Sequence, residues 1–358
     1  MSRLAVARVD LAALADNHAR LRALAAPARL MAVIKADGYG HGLERVARAL
    51  RGADAFGVAA IADGQRLRAA GHDEHIVVLS GPDAPGDLAE LRRLDLEAVI
   101  HHDAQLEWLE AETGSTPLRV WLKIDSGMHR LGFAPERAAE VHVRLLRLPQ
   151  VHREIVLMTH FAASDEFVNP ATARQIETFA AATRDLPGPR SLSNSAALLG
   201  WPAARGDWVR SGGLLYGLSV VDGKTGADHG MRPALRLSTR LIAINRVPRG
   251  EAVGYAGTWT CPEDMPVGIA AIGYGDGYPR SAPSGTPVLL RGCEVPLVGR
   301  VSMDLLALDL RQLPDARVGE EVVLWGPELP AERVAAAAGT ISYQLTCGLT
   351  RRVLFVEG

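Results

Sequence analysis

Lysine is rare in this chain of 358 residues, where it makes up three of the 39 lysine and arginine residues. The three are Lys35, Lys123 and Lys224. Only a lysine amine can lose its proton at an accessible pH and then attack a carbonyl to form a Schiff base. Lys35 follows the apolar run MAVI and precedes the glycine-rich segment ADGYGHG. This position predicts a reactive amine where a buried strand ends.

Polar side chains also follow several other apolar runs of the chain. Together with Lys35, these residues are Tyr39, His41, Lys123, Asp125, Ser126, Arg130, His160, Asn194, Ser195, Arg210, Gly212 and Gly213. Amines, an imidazole and guanidinium groups at the ends of successive strands predict one shared site rather than scattered surface charge.

The elements that must position these residues are short apolar runs alternating with amphipathic segments. The runs are Leu30–Ile34, Ala55–Ile61, Ile76–Ser80, Glu97–His101, Leu118–Asp125, Glu154–His160, Arg190–Asn194 and Trp208–Arg210. Continuous hydrophobicity is typical of parallel strands that helices cover. Eight such runs predict an α/β fold with a (β/α)8 TIM-type barrel, whose sites lie where the strands end.

After about Arg232 the pattern changes to strand-like runs separated by glycine and proline turns, and helical periodicity returns only at Glu332–Ala338. This texture predicts a mostly β C-terminal domain. We therefore divide the chain into residues 1–232, a barrel domain, and residues 233–358, a β-rich domain.

Composition excludes several functions. A formal net charge of −2 argues against a nucleic-acid or anionic-membrane surface. The N-terminus lacks the pattern of a signal peptide and no apolar run approaches a membrane span, so we expect a soluble cytoplasmic protein. Cys261, Cys293 and Cys347 are too widely spaced for a disulfide framework or a zinc site, and we expect reduced, half-buried thiols and no metal.

A series of motifs resembles the alanine racemase family from the first barrel strand to the last few residues. In chain order they are KADGYGHG, KIDSGMHRLG, MTHFAASDE, SNSAA, VRSGGLLYG, VGYAGTW, IGYGDGYPR, VGRVSMD and YQLTCGL. The resemblance implies pyridoxal 5'-phosphate as cofactor and a homodimer with active sites shared across subunits. It also implies that a first strand near residues 4–9 pairs with the C-terminal domain.

The resemblance assigns two bases to opposite faces of the substrate Cα. Lys35 resembles the lysine that carries the cofactor and serves the D side. Tyr255 resembles the base for the L side, supplied by the partner subunit, although taken alone it fits better a tyrosine packed in a strand of the β domain. A phenol with a pKa near ~10 needs a stabilised anion to act as a base. The family meets this need with a chain from Tyr255 through His160 to Arg210.

Other roles follow from the same resemblance. Arg210 donates to the pyridine nitrogen and leaves it unprotonated, which favours return of the proton to Cα over transamination. The phosphate ligands are Tyr39, Ser195, Gly212 and Tyr343, and Ser195 also suits a helix cap.

Arg130 matches the residue that faces the substrate carboxylate and the cofactor phenolate. Lys123 matches a lysine that is often carbamylated, and a plain charge network between Lys123 and Asp125 fits equally well.

Tyr274, Met303 and Asp304 resemble residues of the substrate entrance that the other subunit contributes, although Met303 also suits a β-domain core. Two positions depart from the family. Ser191 stands where a histidine usually supports the pyridine-nitrogen arginine, and Ser302 stands where cysteine is frequent.

Three rival functions follow from shared parts of this pattern. A pyridoxal-phosphate-dependent decarboxylase of the same barrel class would need an acidic partner for the pyridine nitrogen, which Arg210 disfavours. A non-catalytic pyridoxal-phosphate-binding protein would lack the β domain and Tyr255. A racemase of serine or of several amino acids would differ only in pocket volume. The alanine reading implies D-alanine as a peptidoglycan precursor, while alanine degradation stays an open alternative.

Overall fold

A computed structural model of the chain describes residues 5–114 and 116–358. Eight parallel strands form its first sheet. They are β2 (Arg29–Val33), β3 (Ala55–Val58), β4 (His75–Val78), β5 (Glu97–Ile100), β6 (Leu118–Lys123), β7 (Val151–Met158), β8 (Arg190–Ser191) and β9 (Trp208–Ser211). Each overlaps one of the predicted runs, so the predicted barrel strands are confirmed.

This sheet curves into a barrel. Its order is β8-β7-β6-β5-β4-β3-β2-β9. The two end strands approach each other through backbone bonds from Asp207 N–H to Arg190 O (2.8 Å) and from Arg210 N–H to Ser193 O (3.0 Å). Apolar side chains fill the interior, including Met31, Val77, Val99, Trp121 and Trp208. The packed interior leaves the strand ends as the place for a site.

Helices cover the barrel on the outside, one after each of β2 to β8. Helix α1 (Leu11–Ala25) precedes the barrel, and the covering helices are α2 (Leu43–Ala49), α3 (Ile61–Ala69), α4 (Asp87–Arg93), α5 (Asp103–Ala111), α6 (Ala138–Arg147), α7 (Ala171–Thr183) and α8 (Ser195–Gly200). Buried apolar residues such as Leu43, Val46 and Leu145 face the strands. Strand followed by helix is the repeat that places every strand end on one rim.

The second sheet builds the predicted mostly β domain. Its strands are β1 (Val6–Val9), β10 (Leu235–Val247), β13 (Met265–Ala270), β14 (Pro287–Leu290), β15 (Cys293–Val298), β16 (Leu306–Asp309), β17 (Glu321–Trp325) and β18 (Leu354–Glu357), and β11 (Ala252–Val253) pairs separately with β12 (Trp259–Thr260). Strand β1 lies between β10 and β18, antiparallel to the first and parallel to the second. The N-terminal strand therefore joins the C-terminal sheet.

Two helices follow β17, namely α9 (Ala331–Ala337) and α10 (Ser342–Cys347). The expectation that helical periodicity returns only at Glu332–Ala338 is wrong for α10, whose six residues are too few to show a periodic pattern. Because α10 carries Tyr343, this short helix matters for the site.

The cysteines are free thiols, but Cys293 and Cys347 are exposed rather than half-buried, and only Cys261 is buried. Within the described residues, no helix combines the length and apolarity that crossing a bilayer requires. No group of three histidine, cysteine or acidic side chains in that same part of the chain is arranged to hold a metal ion.

Candidate active site

A left-handed turn follows β2 and carries the first candidate residue, Lys35. Ala36, Asp37 and Tyr39 have φ values of 53°, 52° and 51°, a conformation that non-glycine residues rarely adopt. Each such residue costs about 1 kcal/mol or more, so the surrounding structure must hold the turn in place. The turn brings Lys35 and Tyr39, four residues apart, to the same cavity.

Two side chains hold this turn. The Asp37 carboxylate accepts from Leu43 N–H (3.1 Å) and from the guanidinium of Arg66 (2.9 Å). The buried His41 ring donates from Nδ1 to the carbonyls of Gly38 (3.1 Å) and Tyr39 (2.9 Å). Because both partners are acceptors, Nδ1 carries the proton, and burial lowers the pKa of His41 to about 4. A neutral histidine therefore fixes the backbone that aims Tyr39.

The cavity lies at the carboxyl ends of the barrel strands and has a volume of about 470 Å³, within the range of small-molecule sites. Of the predicted residues, it is lined by Lys35, Tyr39, Lys123, Arg130, His160, Asn194, Ser195, Arg210, Gly212, Gly213 and Tyr343. Asp165, which the sequence did not single out as a site residue, also lines it. Residues at the ends of seven of the eight barrel strands, all but β5, and from α10 thus converge on one space.

Both lysines of this cavity have lowered pKa values. Burial and then the positive charge of Arg130 lower the pKa of Lys35. Burial, followed by Arg210, Arg130 and Lys35, lowers the pKa of Lys123 to about 8. The cavity therefore holds amines that lose their protons more readily than ordinary lysines.

The Asp125 carboxylate does not neutralise Lys123 through an ion pair. Its Oδ1 accepts from the backbone N–H groups of Gly127 (2.9 Å), Met128 (2.9 Å) and His129 (3.0 Å). These bonds turn Asp125 toward the loop that leads to Arg130. Among the described residues, no carboxylate forms an ion pair with Lys123, which weakens the reading of a simple Lys123–Asp125 charge network.

Arg210 and His160 are in direct contact. The Arg210 Nη2 donates to His160 Nδ1 at 3.2 Å, so the histidine proton belongs on Nε2. Burial and the neighbouring Arg210 hold the pKa of His160 well below its usual value. A neutral His160 keeps an Nε2–H group available for a further hydrogen bond, as the predicted relay requires.

Arg210 is buried, and burial lowers its pKa to about 10. Its guanidinium is held by acceptors at the ends of neighbouring strands. Nη1 donates to Ser191 O (2.8 Å) and Ser191 Oγ (2.7 Å), and Nη2 donates to Thr159 O (2.7 Å). The position where the family writes histidine is therefore filled by a serine that contacts Arg210 directly.

Gln175 is a buried residue that the sequence did not single out. From α7 it donates to His160 O (3.2 Å), and its Oε1 accepts from Ala162 N–H (2.9 Å). Its Nε2 also lies 3.5 Å from Ser126 Oγ. Gln175 ties together the loops that follow β6 and β7. The only indication of this role in the sequence was a polar residue on the buried face of a helix.

The opposite end of the cavity is built from neutral hydroxyls and closely packed glycines. Burial raises the pKa of Tyr39 to about 12 and raises that of Tyr343 further, so both phenols keep their protons. A Cβ atom at Gly213 would lie 2.5 Å from Tyr343 Oη, and one at Gly212 would clash with Tyr39 Oη. Glycine at these positions lets both hydroxyls reach the backbone after β9.

Ser195 belongs to the same end. Its Oγ lies 3.0 Å from Ser211 Oγ and accepts from Gly212 N–H at 3.0 Å. The interpretation of Ser195 as a helix cap is wrong, because Asn194 precedes α8 and accepts from Ala197 N–H at 2.9 Å. Ser195 is thus free of the cap and points toward the cavity.

Seven predicted residues do not line this cavity. Three of them, His41, Asp125 and Ser126, follow barrel strands without reaching its lining. The other four belong to the C-terminal part of the chain. Tyr255, Tyr274, Met303 and Asp304 lie on the β domain, where Tyr255 is 70 % exposed and Met303 is 51 % exposed. Asp304 forms an ion pair with Arg352, which also pairs with the buried Asp276 at 3.1 Å. Met303 is therefore not a core residue, and within one chain these four residues stay apart from Lys35.

Comparison with known proteins identifies relatives over the whole chain. The family model for the alanine racemase N-terminal domain matches residues 9–220, and that for the C-terminal domain matches residues 234–356. The alanine racemase of Halorhodospira halophila is 52 % identical over 355 residues, covering 99 % of this chain and 97 % of that protein. The alanine racemase of Shewanella oneidensis is 48 % identical over 347 residues, covering 97 % of each chain.

Comparison with solved structures identifies alanine racemases as well. The biosynthetic alanine racemase of Pseudomonas aeruginosa superposes with a TM-score of 0.97 at 43 % identity, covering 100 % of both chains. The alanine racemase of Acinetobacter baumannii superposes with a TM-score of 0.94 at 35 % identity, covering 99 % of this chain and 100 % of that one.

Proposed function

This chain belongs to the alanine racemase family and is an isomerase, and from that premise we propose that it interconverts L-alanine and D-alanine with pyridoxal 5'-phosphate as cofactor. One observation carries the proposal. A single cavity of about 470 Å³ places the amine of Lys35, the guanidinium of Arg210 and a cluster of neutral hydroxyls around one space.

The residues present fit this cofactor. Tyr39, Ser195 and Tyr343 would offer uncharged hydroxyls to the phosphate. The Gly212 N–H, which donates to Ser195 Oγ at 3.0 Å, would have to exchange that bond for one to the phosphate. Arg210 would face the pyridine nitrogen, and Lys35 would carry the aldehyde carbon. When bound, pyridoxal phosphate supplies an electron sink that acidifies the Cα–H bond of the attached amino acid. Each remaining task falls to the chain's own side chains.

Lys35 is the proposed base on the D side of Cα. Its Nζ takes the proton there, or returns it, because burial and Arg130 lower its pKa and so increase the share of free amine. Arg130, at the mouth of the same cavity, orients the substrate by pairing with its carboxylate.

Tyr255 of a second subunit is the proposed base on the L side. Its exposure on the β domain, outside its own chain's cavity, supports a role in a neighbouring site. His160 has its Nε2–H available for the phenolate, and Arg210 holds the other ring nitrogen at 3.2 Å. Tyr274, Met303 and Asp304 would reach the substrate entrance from the same partner. The protein is then a homodimer.

Lys123 is the proposed carbamylated lysine. Its neutral amine would add to carbon dioxide and release one proton, which leaves a carbamate anion. Three positive side chains face Lys123, namely Arg210, Arg130 and Lys35, and an anion at this position would offset their charge. The carbamate would hold Arg130 in place for the substrate.

The remaining assignments concern the chain as a whole. We place the division into a barrel domain and a β domain at residues 232 and 233, and the reaction in the cytoplasm, where it would supply D-alanine as a peptidoglycan precursor. Arg210 beside the proposed pyridine-nitrogen position disfavours the decarboxylase reading, and the complete β domain disfavours a non-catalytic pyridoxal-phosphate protein.

Enantiomer-resolved turnover tests the proposal. The purified holoprotein should interconvert both enantiomers of alanine and act more slowly on serine and larger amino acids. Lys35→Arg keeps the charge but cannot carry the cofactor covalently, so it should lose both turnover and the absorbance of lysine-bound pyridoxal. A holoprotein that binds pyridoxal phosphate and leaves the configuration of alanine unchanged would refute the racemase assignment.

A further inference from the structure

We propose that Ser191 is a positioning residue for Arg210 and thereby sets which N–H group of this arginine faces the cofactor ring. The inference rests on the proposed function, because it concerns the same cavity. Ser191 is completely buried on the two-residue strand β8, beside β9, which carries Arg210. It contributes two acceptors to one guanidinium nitrogen, its carbonyl at 2.8 Å and its hydroxyl at 2.7 Å.

The hydroxyl of Ser191 has a fixed direction. Its single proton is donated to the carbonyl of Trp208 at 3.2 Å, so its lone pairs face Arg210 Nη1. Trp208 and Arg210 are two residues apart on β9, and their side chains therefore point to the same face of the strand. The Ser191 hydroxyl thus bonds both to the backbone of Trp208 and to the side chain of Arg210.

Four of the five guanidinium N–H groups of Arg210 have hydrogen-bond acceptors within the described residues. Both hydrogens of Nη1 go to Ser191, and those of Nη2 go to Thr159 O and, at 3.2 and 3.3 Å, to His160 Nδ1 and Leu192 O. Within the described residues, Nε–H has no hydrogen-bond acceptor, and Arg210 lines the cavity. The planar guanidinium cannot rotate without breaking the two Ser191 bonds, so these bonds direct Nε–H toward the cavity.

Serine is also a neutral partner. A hydroxyl does not titrate in the accessible range, so Nη1 contacts no group that could take or release a proton. Among the described residues, the titratable groups that Arg210 acts on are Lys123 and His160, both on other elements of the rim. Ser191 therefore holds Arg210 without adding to the positive charge of the site.

The chain offers a matched control. Ser193 is also completely buried and also donates its hydroxyl to a carbonyl, that of Ala204 at 2.9 Å, but its side chain forms no hydrogen bond with the Arg210 guanidinium. Ser193→Ala removes the same atom and a similar hydrogen bond two residues away. Ser191→Thr keeps the hydroxyl and serves as the conservative rescue.

The experiment compares the wild-type holoprotein with Ser191→Ala, Ser193→Ala and Ser191→Thr. Each protein is stripped of cofactor and titrated with pyridoxal phosphate, and the dissociation constant and the absorption maximum are recorded. Pyridoxamine phosphate and pyruvate, formed one for one when alanine is transaminated instead of racemised, are then counted per turnover. The dissociation constant and the absorption maximum do not depend on turnover by the loaded enzyme.

We expect Ser191→Ala to raise the dissociation constant about threefold to tenfold, to shift the absorption maximum and to increase the transaminated fraction, because a charged donor loses its acceptor. Ser193→Ala and Ser191→Thr should stay within about twofold of wild type. Equal values for Ser191→Ala and Ser193→Ala would overturn the inference. A wild-type protein that binds no pyridoxal phosphate would instead defeat the proposed function, so the two failures can be told apart.

Discussion

At the scale of single residues, the cavity is distinguished by an excess of positive charge. Lys35, Lys123, Arg130 and Arg210 line it, and the nearby Asp125 directs its carboxylate to backbone groups of its own loop. Like charges in one buried space favour proton loss from the group that can lose it most easily. Lysine is that group and arginine is not, which gives a physical reason for lysine at positions 35 and 123 of an arginine-rich chain.

Tyr255 gives the sharpest test of the two-base mechanism. Tyr255→Phe removes the phenolic oxygen and keeps the ring, so it should slow proton exchange at Cα of L-alanine about a thousandfold while exchange of D-alanine at Lys35 changes far less. Exchange in deuterated water, followed separately for each enantiomer, measures both rates. Equal losses for the two enantiomers would contradict the assignment of one base to each face.

Lys123 should form a carbamate that can be seen directly. With a pKa of about 8, its amine is largely free at mildly alkaline pH, and a proton-bearing ammonium does not react. Protein equilibrated with 13C-labelled bicarbonate should show a carbamate resonance that Lys123→Arg abolishes, together with about a tenfold loss of turnover. Lys224→Arg makes the same change at an exposed lysine and should keep the resonance. A signal that survives in Lys123→Arg would assign the adduct elsewhere.

At the scale of elements, the strands were predictable and the connections between them were less so. Eight continuous apolar runs identified β2 to β9 because burial on both faces leaves no other pattern. The left-handed turn after Lys35 could not be predicted, because Ala36, Asp37 and Tyr39 do not favour that conformation. It forms only because contacts distant in sequence, such as that from Arg66 to Asp37, hold it.

The residues of the candidate site were likewise predictable only in part. Residues at strand ends, including Lys35, His160 and Arg210, were predicted because the barrel places strand ends on one rim. Ser191 and Gln175 act through hydrogen bonds between elements, and no spacing in the sequence indicates such bonds. Contacts that depend on tertiary packing become visible only in the folded chain.

The glycines after β9 should be required for close packing rather than for backbone freedom. Gly213→Ala places a methyl group 2.5 Å from Tyr343 Oη, so α10 or the tyrosine must move and the dissociation constant of pyridoxal phosphate should rise about tenfold. Gly86→Ala makes the same change where no atom lies within 4 Å and φ is −64°, and it should bind the cofactor normally. Cofactor titration of both variants decides the point, and wild-type affinity in Gly213→Ala would show that Tyr343 is not needed there.

The opposite end of the barrel should contribute pH-dependent stability. Glu97 accepts from Trp121 Nε1 (2.6 Å) and lies 2.5 Å from His75 Nδ1, so the carboxylate raises the pKa of His75 above its usual 6.5. The bond between protonated His75 and Glu97 stabilises the fold fully below about pH 6.5, and this stabilisation is lost as the pH rises through the raised pKa of His75. Glu97→Gln should therefore lose about 0.5–1 kcal/mol more at pH 6 than at pH 9, a modest difference because His75 is half-exposed.

Denaturant titrations of wild type and Glu97→Gln at the two pH values measure this difference. His152→Ala, on β7 and away from Glu97, is the control and should show the same small effect at both. A destabilisation by Glu97→Gln that does not change with pH would mean that the Trp121 bond alone holds this end of the barrel.

At the scale of the whole molecule, the proposed two-base site is not complete within a single chain. That chain holds the proposed D-side base, the hydroxyls proposed to bind the phosphate and the Arg210–His160 pair, but Tyr255 and Met303 lie exposed on the β domain. Large apolar and aromatic side chains that remain exposed in one chain mark a surface for contact. A two-fold dimer that places each β domain against the partner's barrel would bury that surface and complete two sites together.

Subunit mixing tests this arrangement. A dimer of one Lys35→Ala chain and one Tyr255→Phe chain has one site with both changes and one site with neither. Because chains assort at random, half of the dimers are mixed and each has one intact site, so activity should recover to about a quarter of wild type. Co-expression of Lys35→Ala with Arg210→Ala is the control. Both of those residues line the cavity of the same chain, so every mixed dimer has two defective sites and no activity should return. Recovery in neither pair, with mixed dimers present by mass, would show that each chain builds its site alone.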